Sequence, residues 1–230
     1  MAYIESKKVT LLMTKSTATP HVAKVTDVNV DTPLSITTTA STVADYDLGY
    51  IKAIPGYNFL DGSWFAVESG ATSTAFDTIG IAGYGLPAYP AGTKFDIALY
   101  KPADFFELCL SSIDISRGTA STIATPTFCN RGQSISSVAV DKGTVSFGGY
   151  VDVNSETYKE LAAALASDEE KTIVVLTDTT VATSYSNGAQ GVIVVGVKLT
   201  SIDFDLPLDG AIAFNAEAKI TRRVQYVNYQ

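Results

Sequence analysis

The sequence has few of the residues on which catalysis and metal binding usually depend. Its 230 residues include one histidine and two cysteines. His21 accompanies no recognisable Ser or Cys nucleophile, and Cys109 and Cys129 form no Cys-x-x-Cys pair, so neither a nucleophilic site nor a zinc site is predicted. The cysteines are predicted to be core residues or a reduced pair, compatible with a reducing cytoplasm. Phosphate loops and dinucleotide fingerprints are also absent, so we expect no cofactor and no enzyme.

Charge and long apolar runs are scarce as well. Charged residues make up 17% of the chain, and the net charge is −8. Gripping phosphate needs clustered Lys and Arg, so DNA is expected to pass this protein without adhering. No apolar run approaches the roughly 20 residues of a membrane span, and the first residues lack the apolar region of a signal peptide. We therefore expect a soluble protein, made inside the cell, with no membrane partner.

The residues that are abundant favour strands. Thr, Ser, Val and Gly recur throughout the chain and suit strands and tight turns. We expect a mainly β fold in three parts: an N-terminal arm or edge strand in residues 1–21, a small all-β module in residues 22–98, and a larger β domain in residues 99–230. Residues 85–90 (GLPAYP) are the predicted linker, because their prolines exclude a central strand.

One helix is predicted, starting from a cap at Asn154 or Ser155 and ending at residues 167–168. Glu156 suits its first turn. An i, i+3, i+4, i+7 stripe predicts its buried face, formed by Tyr158, Leu161, Ala162 and Leu165.

The last forty residues predict a long hairpin. Alternating apolar and polar residues run through residues 212–221, which is the period of a strand with one buried face. Before the turn the alternation slips near Thr200 and Ser201, as a β-bulge would cause. Pro207, Asp209 and Gly210 are the predicted turn, with Gly210 in a left-handed conformation.

The polar side of this hairpin is acidic, with Asp203, Asp205 and Glu217 in the same phase. A calcium loop that also uses Asp209 is the alternative, but residues 206–208 (LPL) interrupt the ligand spacing. We interpret these acids as a solvated strand face.

Trp64, with Tyr57, Phe59 and Phe65, allows either a sugar-binding platform or a small core, and a core is favoured.

Two resemblances accompany these patterns. Residues 36–42 (ITTTAST), 49–67 (GYIKAIPGYNFLDGSWFAV) and 73–76 (STAF) resemble a small β-barrel module of phage structural proteins, with Asp61 in place of the usual Asn. From about Ile113 onward the chain resembles the major tail tube protein of long-tailed (siphovirus-type) bacteriophages. The matching segments, in the family's order, are 113–116 (IDIS) with 122–130 (TIATPTFCN), 143–150 (GTVSFGGY), Tyr158-x-x-Leu161, 173–176 (IVVL) and 191–214 (GVIVVGVKLTSIDFDLPLDGAIAF).

For residues 99–230 the second resemblance implies a tail-tube-type β-sandwich or barrel of two β-sheets, flanked by one helix. It further implies homo-hexameric rings that stack into a tube in the virion tail, assembled in the host cytoplasm, with tape-measure and tail-end proteins as partners. DNA would pass through the tube during ejection, and Asp203, Asp205 and Glu217 would face its lumen. The alternatives are a virion-decorating or receptor- or glycan-binding β module and, less favoured, a glycan hydrolase, which lacks a recognisable carboxylate pair.

Overall fold

The protein is mainly β, as the composition predicted. The computed structural model describes residues 9–31, 33–39, 41–81, 83–108, 110–118, 120–126, 134–140, 142–152, 155–177, 191–205, 212–222 and 224–227. In these ranges the elements are β1 (Val9–Thr14), β2 (His21–Asn29), β3 (Ser35–Thr38), β4 (Leu48–Ile51), β5 (Trp64–Val67), β6 (Ala75–Ile79), β7 (Phe95–Tyr100), β8 (Phe105–Leu108), β9 (Leu110–Arg117), β10 (Ala120–Pro126), β11 (Ser134–Val140), β12 (Gly143–Val151), α1 (Glu156–Ser167), β13 (Glu170–Thr177), β14 (Gly191–Asp205), β15 (Ile212–Ile220) and β16 (Gln225–Val227).

Six strands form a closed antiparallel barrel in the order β2-β3-β6-β5-β4-β7. This confirms the small β-barrel that the first resemblance implied. Alternate side chains fill its interior, including Val25, Ile36, Phe65 and Ile97. The barrel strands run from His21 to Tyr100, close to the predicted 22–98.

The predicted linker at residues 85–90 is wrong. The strand that follows it, β7, pairs with both β2 and β4 and so closes the barrel. The Tyr57 hydroxyl donates to the Pro87 carbonyl at 2.7 Å, and Tyr89 packs against the barrel core. The two prolines interrupt strand structure locally, as expected, but they lie in a loop of the barrel.

The N-terminal strand is not an edge strand, contrary to the prediction. β1 lies between β8 and β13, and Leu11 and Met13 are fully buried. Thr14 pairs with Phe105, and the Lys15 amide donates to the Asp104 carbonyl at 2.8 Å. β1 and β8 are therefore the two arms of a hairpin, and the barrel is an insertion between them.

The larger domain is one continuous sheet in the order β8-β1-β13-β14-β15-β12-β9, with β16 also paired to β14. The long β14 joins the two halves of this sheet, because it pairs with β13 through residues 191–198 and with β15 through residues 197–205. Apolar side chains from β8 to β9 and from α1 form a single buried cluster. We infer that the sheet curves around that cluster.

The predicted irregularity in the terminal strands is confirmed. The pairing of β14 with β15 shifts between Leu199 and Ser201, leaving Thr200 as the extra residue. Leu199 and Phe204 consequently contribute to the same apolar cluster although their numbering differs in parity. A second shift lies at Gly148 and Gly149.

The predicted helix is confirmed, but its buried face is partly different. The Ser155 hydroxyl accepts a hydrogen bond from the Tyr158 amide at 3.2 Å, and Asp168 ends the helix with φ of 56°. Leu161 and Ala164 are buried, whereas Ala162 and Leu165 are exposed. The helix thus packs along a narrow i, i+3 row, because it contacts the sheet mainly at β14 and β8.

Candidate functional site

The three predicted acidic residues lie together on one exposed side of the large sheet. Asp203, Asp205 and Glu217 are all exposed. Asp203 pairs with Asn215 and Glu217 pairs with Ser201, so these acids share a side of the β14–β15 pair. Directly opposite residues of antiparallel strands point the same way. We call this exposed side, on β9, β12, β15 and the second half of β14, the acidic face.

Asp114 belongs to the acidic face and was missed in the sequence. It is exposed and pairs with Ser146, which in turn pairs with Glu217. Strands lie about 4.8 Å apart, so Asp114 and Glu217 are roughly 10 Å from each other. Each carboxylate faces a neutral residue on the next strand, which avoids direct like-charge contact. The alternation of Asp114 with Ile113 and Ile115 indicated that Asp114 is exposed. The sequence did not indicate that β9 pairs with β12, and this pairing is what brings Asp114 to the acidic face.

The cations of this sheet side lie toward its other end. Lys198 and Lys219 pair with each other across β14 and β15. Lys198 forms an ion pair with Asp168 at 2.8 Å. Asp168 therefore offsets one of these positive charges, and the end that carries Asp203 and Asp205 keeps its negative potential.

Several predicted residues lie outside the described residues. These are the turn residues Pro207, Asp209 and Gly210, and both cysteines, Cys109 and Cys129. The predictions made for them therefore stay predictions.

The barrel packs on the same side of the sheet, at the β13 and β1 end. Leu12, Val174 and Val194 of the sheet and Leu48 and Trp64 of the barrel belong to one buried cluster. We call this contact the barrel joint. Val194 and Lys198 have the same parity on β14, so the joint and the acidic face share one side of the sheet. Within that side they lie on different strands: the joint on β1, β8, β13 and the first half of β14, and the acidic face on β9, β12, β15 and the second half of β14.

Two side chains after β15 fasten the barrel joint. The Gln225 side chain accepts from the Trp64 amide at 2.8 Å and donates to the Trp64 carbonyl at 2.6 Å. It thus makes with Trp64 the two backbone hydrogen bonds that a residue of a neighbouring strand would make. The Arg222 guanidinium lies 4.1 Å from the Tyr50 ring centre and forms a two-point ion pair with Glu170. Cation–π and bidentate contacts of this kind are strongest when partly buried.

Burial at this joint raises the pKa of the Tyr100 hydroxyl above its ordinary value, although the nearby Arg222 opposes the shift. The hydroxyl therefore stays protonated at neutral pH.

Three of the four aromatic residues named above are buried in cores, whereas Phe59 is exposed. Trp64 and Phe65 are fully buried and Tyr57 is nearly so. Trp64 lies in the barrel joint and Phe65 in the barrel interior, because β5 is covered on both sides. Exposed aromatic surface on the barrel comes from Phe59 and Tyr84, which are 59% and 91% exposed.

A polar cleft of about 450 Å³ lies beside the barrel joint, lined in part by Lys15, Lys171 and Arg222. Each of these cations has an acidic partner, with N–O distances of 3.1, 3.3 and 2.5 Å respectively. The cleft therefore offers no unmatched charge to an anionic ligand.

Asp47 is the most unusual carboxylate of the barrel. It is 1% exposed, and its Oδ2 accepts the Ala44 amide at 3.0 Å. Burial raises its pKa above the ordinary 3.8, a shift that the Ala44 hydrogen bond, Lys101 and His21 oppose and Asp104 reinforces. A carboxyl whose pKa is raised by folding destabilises the folded state above its unfolded pKa, and this cost vanishes below it.

We therefore expect Asp47→Asn to raise the thermal midpoint at pH 7, because it removes the buried charge and keeps an acceptor for Ala44. The gain should shrink toward zero at about pH 2.5, well below the ordinary pKa of 3.8, where Asp47 is protonated in both states. Asp96→Asn, at an exposed barrel position, is the matched control and should shift neither midpoint. Thermal unfolding of the three proteins at both pH values checks this, and an equal gain at both pH values would contradict it.

The described residues hold no group of three or more His, Cys, Asp or Glu side chains placed to bind a metal ion. Nor does any helix among them have the length and apolar character to cross a membrane.

Comparison with protein-family models gives no match, and comparison with curated proteins gives no similar sequence.

Proposed function

We propose that this chain is the structural subunit of a phage tail tube. Six copies form a ring, rings stack into a tube in the virion, and DNA passes through the lumen during ejection without specific binding. Tape-measure and tail-end proteins are the expected partners inside the tube and at its ends. The observation that carries this proposal is the acidic face.

The acidic face supports a lumen role through its electrostatics. Asp114, Asp203, Asp205 and Glu217 lie on one broad, exposed sheet surface. Six copies arranged around an axis would line a channel with carboxylates, which repel the phosphates of passing DNA. On a monomer the same surface is an ordinary solvated sheet face. In a ring the carboxylates of six copies would surround one channel and act on the same DNA.

The ends of the large sheet support ring closure. Within the described residues, β8 pairs only with β1, and β9 only with β12. The β8 edge is partly covered by α1, because the Thr157 hydroxyl donates to the Glu107 carbonyl at 3.4 Å. An unpaired strand edge, such as that of β9, is an association liability in a monomer, and a closed ring removes it. The barrel joint lies on β1, β8, β13 and the first half of β14, whereas the acidic face lies on other strands and on the second half of β14, so in the proposed ring the barrel is outside.

Purified wild-type protein provides the direct test. Negative-stain microscopy and sedimentation over a concentration series are expected to show rings at low concentration and stacked tubes at high concentration. Protein that remains monomeric up to about millimolar concentration, where even a weak association of roughly −4 kcal/mol would be half complete, would overturn the proposal.

A virion-decorating or receptor- or glycan-binding module is the second candidate. The exposed Phe59 and Tyr84 on the barrel favour it, since aromatic rings on a surface can stack on sugars. This function predicts a monomer or trimer and a glycan response that Phe59→Ala and Tyr84→Ala abolish. The two candidates differ in assembly state, so the microscopy separates them.

A further inference from the structure

The barrel is connected to the large sheet by two chain crossings that lie side by side. The chain enters the barrel after β1 and leaves it before β8, and these two strands are neighbours in the sheet. The Lys15 amide donates to the Asp104 carbonyl at 2.8 Å, so the crossings are joined where they leave the sheet. The Ser16 amide donates to the Glu160 carboxylate of α1 at 2.5 Å, which ties the first crossing to the sheet domain. Two adjacent crossings attach a domain along one line, about which it can rotate. We call this line the hinge.

The C-terminal segment contacts the barrel away from the hinge. After β15 the chain turns back, and the Thr221 and Arg222 amides donate to the Gly196 carbonyl at 2.8 and 3.3 Å. β16 then pairs with β14. Its Gln225 side chain bonds Trp64 of β5 and also donates to the Gly80 carbonyl at 3.3 Å. β5 lies two strands from β7, where the chain leaves the barrel, so roughly 10 Å across the strands separate this contact from the hinge. We call Thr221, Arg222 and residues 224–227 the strap.

The strap is held mainly by polar contacts. β16 has only three residues, and Val224 and Gln225 are half-buried. Arg222 is held by its ion pair with Glu170. Gly196 leaves room for this pair, since an added Cβ would lie 2.7 Å from Arg222 Cγ and 2.8 Å from Glu170 Oε1. Water can replace polar contacts of this kind once they break, so the strap detaches at a lower cost than an apolar contact would.

The Trp64 indole disfavours the closed joint. Its Nε1 is buried and has no hydrogen-bond acceptor among the described residues. A buried donor without an acceptor destabilises the closed state, because water would accept its hydrogen bond once the joint opens. Contacts between domains of one chain also commonly permit relative motion. Opening therefore relieves a cost at Trp64, and the strap opposes that opening.

We propose that the strap is a detachable lock on the barrel. While it is attached, the hinge and the strap hold the barrel at two separated points, so rotation is blocked. When it detaches, the barrel turns about the hinge as a rigid body and the joint opens at Trp64. The described side chains of the strap include none of the buried residues of the barrel interior or of the sheet core. Both domains therefore keep their folds. This inference concerns a single subunit and does not rest on the tube function.

The fluorescence of Trp64 provides the test, because Trp64 is the only tryptophan in the sequence. Gln225→Glu still accepts from the Trp64 amide at neutral pH, but it cannot donate to the Trp64 and Gly80 carbonyls. Quenching of the fluorescence by acrylamide at pH 7 should rise at least about threefold over wild type, as local opening exposes the indole. At about pH 4, near the ordinary pKa of glutamate, the introduced carboxyl regains a proton to donate, and the ratio to wild type should fall toward one. Asn58→Asp adds the same charge at an exposed barrel position and should match wild type at both pH values.

Hydrogen exchange separates opening of the joint from unfolding. In the wild type the Trp64 amide should exchange faster than the amides of β2 and β7, because detachment of the strap exposes it while the barrel stays folded. In Gln225→Glu the exchange of β2, β7 and β13 should be unchanged. Unchanged quenching in this variant overturns the proposal. So does a rise in quenching that is accompanied by faster exchange of β2 and β7, or a wild-type Trp64 amide that is as protected as those strands. All measurements use protein below its assembly concentration, so a failure of the tube function leaves them unaffected.

Discussion

Tubes assembled from Asp203→Lys/Asp205→Lys/Glu217→Lys protein in the presence of DNA are expected to retain DNA in their channel. The three side chains are exposed and lie on the acidic face, so each substitution should change stability by no more than about 0.5 kcal/mol. Lysines in their place reverse the potential of the channel wall. Nuclease-protected DNA should rise on the order of tenfold over wild type at low salt and fall steeply at high salt, as counterion release requires.

A control variant must show that the retention of DNA depends on where the lysines lie on the subunit and not on the total charge of the protein. Asp31→Lys/Asp77→Lys/Asp96→Lys makes the same change in charge at exposed positions of the barrel. This control is expected to bind DNA outside the tube, where nuclease removes it. If the acidic-face variant assembles normally and protects no more DNA than wild type, the lumen assignment is wrong.

Local patterns in the sequence predicted local structure well. Near Thr200 the apolar positions change from odd to even residue numbers. This identified a bulge, because one extra residue turns every later side chain to the opposite side of the strand. The cap at Ser155 identified the helix start because a hydroxyl there satisfies a free amide of the first turn. The exposed phase of Asp203 and Glu217 followed from the same alternation.

Pairing between distant strands was not predictable from those patterns. Alternation shows which side of a strand is buried, and it carries no information on which strand lies next to it. Leu12 pairs with Val174 across the whole barrel insertion, so β1 looked like an edge strand. Likewise the prolines at 87 and 90 marked a loop, but only the pairing of β7 with β2 and β4 shows that the loop belongs to the barrel.

The barrel joint was missed for the same reason. Arg222 and Gln225 follow the last long strand in a segment without a distinctive pattern. Their partners, Glu170, Tyr50 and Trp64, come from three separate parts of the chain. The full burial of Trp64 could be expected as a core position, but not its place between two domains.

Excision of the barrel is expected to yield a folded large sheet that still assembles, provided that the joint is made polar at the same time. β1 and β8 are adjacent strands of one hairpin, with Thr14 opposite Phe105, so a short turn can replace residues 16–103. The excision leaves five sheet residues of the joint facing water, where they are at most 6% exposed in the whole protein: Leu12, Phe105, Val174, Leu176 and Val194. Each loses about 1.5–3 kcal/mol of burial and adds to an apolar patch that promotes aggregation.

The experiment therefore compares two excised proteins. With these five residues changed to threonine the excised chain should be soluble, give the circular dichroism of a β protein and form tubes narrower than wild type, because threonine suits a strand and tolerates water. Without those substitutions the excised chain should aggregate, since the former joint is exposed. An excised and substituted chain that is unfolded by circular dichroism would show that the sheet requires the barrel. The barrel would then be an integral part of the fold, and its position between β1 and β8 would not make it a removable insertion.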